Sequence, residues 1–80
     1  MTKAIDKDVD YYVAKVESRL RKRYPKLQFE VERLSDHEVV IYYSPYSEED
    51  EYPIVHRVGS IATDALVDSN IRIWVHPSTP

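Results

Sequence analysis

His56, Ser60 and Asp64 recur every four residues and carry the side chains of a nucleophilic hydrolase: a base, a hydroxyl and a carboxylate. On a helix they share one side, but at about 1.5 Å rise per residue His56 and Asp64 lie about 12 Å apart. A working triad needs successive hydrogen bonds of about 2.6–3.2 Å, and no Gly-x-Ser-x-Gly turn is present to expose the serine. These three residues read as the solvated flank of a helix. His37, His56 and His76, with Asp36 and Glu38 beside the first, are the remaining candidates for a metal. No pair of histidines has the i, i+4 spacing of a helical zinc site, and the chain has no cysteine. The acid run Glu48 to Glu51 reads as a complement to a helix start. Gly59 is the single glycine, so no phosphate-cradling loop can form. The expectation is a non-enzymatic chain with no catalytic residue, no cofactor and no metal.

One basic stretch could touch nucleic acid. Lys15, Arg19, Lys22, Arg23 and Lys26 cluster toward the end of the first helix, and Tyr24 could offer a stacking face. Lys15, Arg19, Lys22 and Lys26 make one stripe if the helix extends that far. Cations at a helix C-terminus also complement the macrodipole without any ligand, and a formal net charge of -3 argues against a dedicated phosphate binder. RNA or DNA binding there is expected to be weak and secondary.

Behind these side chains stand five elements. Ile5, Val9, Tyr12, Val13, Val16 and Leu20 form one apolar stripe, with Asp6, Asp8 and Asp10 in the first turns, and Pro25 closes this helix. Leu27, Phe29 and Val31, then Val39, Ile41 and Tyr43, alternate with polar or outward residues and meet in a hairpin. Keeping odd residues opposite odd ones calls for a three-residue connection through Ser35 and Asp36. A second helix is expected from Asp50 as N-cap, with Pro53 in its first turn, and its stripe runs through Ile54, Val58, Ile61, Ala62, Ala65 and Leu66 to a turn at Ser69-Asn70. Within it, Gly59 is expected to let the helix approach the sheet or the first helix closely. Ile71, Ile73 and Val75 make the last strand, and residues 77–80 a frayed tail.

The expected architecture is α+β, one domain over residues 1–80. It is a two-layer sandwich in helix-strand-strand-helix-strand order, with a three-stranded mixed sheet, both helices on one face and the other face open. The second strand is apolar on both sides and belongs in the centre, giving the order one-two-three. The predicted core is Val9, Val13, Val16, Leu20, Leu27, Phe29, Val31, Val39, Ile41, Ile54, Val58, Ile61, Leu66, Ile71, Ile73 and Val75. In element order alone the chain resembles KH-type RNA-binding domains and BolA-like domains. The Gly-x-x-Gly clamp of the KH type is missing, since Gly59-Ser60-Ile61-Ala62 supplies only its first glycine.

Pleating sends Arg72, Trp74 and His76 to the open face beside Val40 and Tyr42. Tryptophan, tyrosine and arginine are enriched at binding hot spots. These five residues are the expected site for a protein partner or a second copy of the chain. With no apolar run near the roughly 20 residues that span a bilayer and a charged start where a signal peptide is apolar, a cytoplasmic location is expected and no membrane contact.

Overall fold

The computed structural model describes residues 7–78. Its elements follow the order α1 (Val9–Arg23), β1 (Gln28–Ser35), β2 (Glu38–Ser44), α2 (Glu48–Ser69) and β3 (Arg72–Pro77). The sheet is mixed and open, ordered β1-β2-β3, with β1 antiparallel and β3 parallel to β2. Ile5 and Asp6, assigned to the first helix from sequence, lie outside the described residues.

Asp8 caps α1 by accepting the Tyr11 N–H at 3.0 Å, satisfying one of the orphan donors of the first turn. The helix buries Val9, Tyr12, Val16 and Leu20 and ends when Tyr24 closes back on the Leu20 carbonyl at 2.7 Å. Lys26 therefore falls in the turn before β1 and does not continue the basic stripe. The second helix starts earlier than expected: Ser47, not Asp50, is the N-cap, and Pro53 sits within the helix. At its end Asn70 adopts φ 55°, and Ile71 donates to the Ala65 carbonyl at 3.0 Å, a reversal in which the left-handed residue satisfies the last carbonyls.

The hairpin keeps the expected parity by different means. Phe29 faces Tyr43 and Val31 faces Ile41, but Ser35 faces Glu38, so the loop is the two-residue turn Asp36-His37 and Leu34 is an extra, bulged residue. A two-residue loop alone would put odd against even; the bulge corrects it.

The core gathers α1, β2 and α2: Val39, Ile41 and Tyr43 lie beneath the two helices with Ile54, Val58 and Ile61. Tyr12, Val40, Tyr43 and Ala65 join the predicted core as buried residues, and Val13, Phe29, Ile73 and Val75 are only partly buried. Val31 and Leu66 are 46% and 48% exposed and do not belong to it. Val31 is exposed because α1 lies on β2 and α2 on β3, so that β1 projects past the helix layer, and Leu66 because it sits on the flank of α2 beside the outer edge of β3. Of the expected tail, Pro77 is part of β3 and the Ser78 N–H donates to the Tyr43 carbonyl at 2.8 Å, so these two are tied down, and residues 79–80 lie outside the described residues.

Candidate interaction surface

Three strands build the open face. The register places Glu32, Val40 and Trp74 in one row, with Glu38 beside Arg72 and Tyr42 beside His76. Two cross-strand hydrogen bonds organise it. The Trp74 indole N–H donates to a Glu38 carboxylate oxygen at 2.8 Å, and the Tyr42 hydroxyl donates to Glu32 at 3.1 Å. The bond to Glu32 raises the Tyr42 pKa above the ordinary phenol value, with burial and the carboxylate's charge adding in the same sense.

The five residues named from sequence share this face but not one environment. Arg72, Trp74 and His76 are exposed and Tyr42 is half-buried. Val40 is only 8% exposed, so it forms the floor and is not part of the accessible patch. Its burial follows from its central position, with larger side chains on the strands to either side. Trp74, 46% exposed with its one donor already paired, offers ring surface and little unmet polarity.

The basic residues of α1 are exposed, and several are engaged. Arg19 donates to the Ser60 hydroxyl at 2.6 Å and to the Arg57 carbonyl at 3.4 Å, bridging the helices. Lys15 and Arg23 lie over the rings of Tyr11 and Tyr24. Ser60 is thus a partner of Arg19, and His56 lies near the ring of Tyr52, 6.0 Å between centroids. Among the described residues no three metal-ligating side chains cluster, and no helix is long and apolar enough to cross a membrane.

Comparison with protein families, with curated proteins and with solved structures gives no match. The surface must be read from its own chemistry.

Sequence reading missed a second apolar surface on α2. Tyr52, Val55, Gly59, Ala62 and Leu66 are spaced three and four apart, beside the stripe that fills the core. The signal is present in the spacing, but Ala62 and Leu66 also continue the core stripe and a lone helical glycine equally suits a close approach. A methyl group added at Gly59 would meet no atom of the described residues within 4 Å outside its own stretch of helix. The glycine faces open space, not the sheet or α1.

Proposed function

We infer that this chain is a small non-enzymatic interaction module that binds a polypeptide partner through the open sheet face. The observation that supports this most is Trp74, an exposed ring held in place by Glu38. A pinned aromatic contributes contact area with little ordering cost on binding, and aromatic residues are enriched where interfaces are most buried. Glu30 and Glu32 lie on the same face, and their charge disfavours a nucleic-acid backbone there.

Affinity capture from native cells, with and without nuclease and with Trp74→Ser as control, tests the reading. Polypeptide partners that survive nuclease and vanish with Trp74→Ser are expected. Partners released by nuclease and retained by Trp74→Ser would replace it with nucleic-acid binding at Lys15, Lys22 and Lys26.

A further inference from the structure

The second stripe of α2 does not stand alone. It overhangs β3, and between them run two shallow cavities of about 400 and 210 Å³ along a groove lined by Val55, Gly59, Ala62, Leu66, Ile73 and Val75. Val55 is 50% exposed and Leu66 48%, with Tyr52 at 77% beyond one end and Val67 at 75% near the other. Apolar exposure of this extent along a continuous line marks an interaction surface.

We propose that this groove is the interface of a two-fold homodimer in which α2 packs antiparallel against α2 of a second copy. Size and charge both select that occupant. The stripe is bulky at its ends and small in its middle, so a two-fold axis between Gly59 and Ala62 sets the small residues against each other and Val55 of one protomer against Leu66 of its partner. Close approach needs the missing side chain at Gly59, which nothing in the protomer uses.

The charges are polar along the groove. The first turn of α2 carries Glu48, Glu49, Asp50 and Glu51 at the Tyr52 end, whereas Arg72 lines the cavity at the Leu66 end. An antiparallel pairing brings the acids of each copy toward Arg72 of the other, twice, and closes the assembly at two. A parallel pairing would set acid against acid. A helix of about 33 Å with a strand edge beneath it offers on the order of 600 Å² per partner, the lower end for specific association. The dimer is therefore concentration-dependent. It shares Arg72, Trp74 and His76 at the β3 edge with the proposed partner face, but Val55, Gly59 and Leu66 belong to α2 alone and Glu30 to the open face alone, so substitutions at these positions let each claim fail without the other.

Sedimentation velocity over a wide concentration range tests it. The wild-type chain is expected to pass from monomer to dimer, and Leu66→Glu and Gly59→Gln each to weaken the dimer by about tenfold or more. Gly59→Gln also separates dimerisation from folding, because replacing glycine inside a helix raises the monomer's thermal midpoint. Glu48→Arg and Arg72→Glu should each weaken association and restore it when combined, while Glu30→Lys on the open face leaves it unchanged. A chain monomeric at every concentration overturns the proposal. So does a dimer that survives Leu66→Glu and Gly59→Gln, or one that Glu30→Lys abolishes.

Discussion

The two edges of the sheet solve the same problem in opposite ways. An edge strand exposes unpaired backbone groups and must be guarded against pairing with another chain. On β1 the guard is local: Glu30, Glu32 and Arg33 are exposed along the strand, and the bulge at Leu34 disturbs its regular ladder. On β3 no charged residue lies between Arg72 and His76, and no bulge interrupts its pairing with β2. Cover there comes from α2, whose outer flank is itself apolar. One edge is closed by its own sequence, whereas the other passes its exposure to the helix above it.

This contrast can be broken by substitution. The largest loss is expected at the strand both edges share: Ile41, 0% exposed, changed to alanine should cost about 2–5 kcal/mol in chemical denaturation. Ile71→Ala, at the buried residue just before β3, should fall in the same range toward its lower end. Phe29→Ala on β1 should cost less, about 1–3 kcal/mol, because the ring is only partly buried and lies under the Arg21 guanidinium at 5.1 Å. Val31→Ser should change stability by no more than about 0.5 kcal/mol. A loss at Val31 comparable with that at Ile41 would mean that the helix layer covers β1 after all.

The smallest effect is expected at Tyr43, whose buried hydroxyl has no hydrogen-bond partner among the described residues. Tyr43→Phe removes an unpaired polar group and should leave stability unchanged or slightly raised. Burial, then the charge of Glu51, pushes the Tyr43 pKa above the usual 10.0. Hydrogen bonds to Glu32 and Glu51 do the same for Tyr42 and Tyr46. The folded chain thus holds these protons more tightly than the unfolded one. Their ionisation therefore costs no stability below about pH 10, and stability falls as pH rises through the folded values. Unfolding followed by circular dichroism should show this alkaline limb, and Tyr43→Phe should reduce it.

Much of the fold was legible because β2 is apolar on both faces, which only a central strand tolerates, and because each helix carries a stripe at helical spacing. What escaped were facts of placement. Alternation in β1 predicts which way Val31 points but not whether a helix lies above it. Leu66 lies at a helical spacing that serves two adjoining stripes, and periodicity alone cannot assign it to one. Alternation along β2 sets Val40 on the opposite face from Val39 and Ile41, yet its neighbours' size, not its own face, decides its burial. The basic residues of α1 were visible as a cluster, but the bridge from Arg19 to Ser60 joins two helices distant in sequence and has no local signal.

The bulge bears on how this chain can vary in length. Arg33 opposes Val39 and Ser35 opposes Glu38, with Leu34 unopposed between them. Removing Leu34 would leave every cross-strand partner as it is, converting the hairpin to a regular ladder. Deleting Glu30 or Glu32 instead would turn part of β1 over and drive its remaining carboxylates toward the helices. Relatives one residue shorter in this hairpin should carry their gap at Leu34, and an alignment that places it elsewhere in β1 would pair side chains that face opposite sides of the sheet.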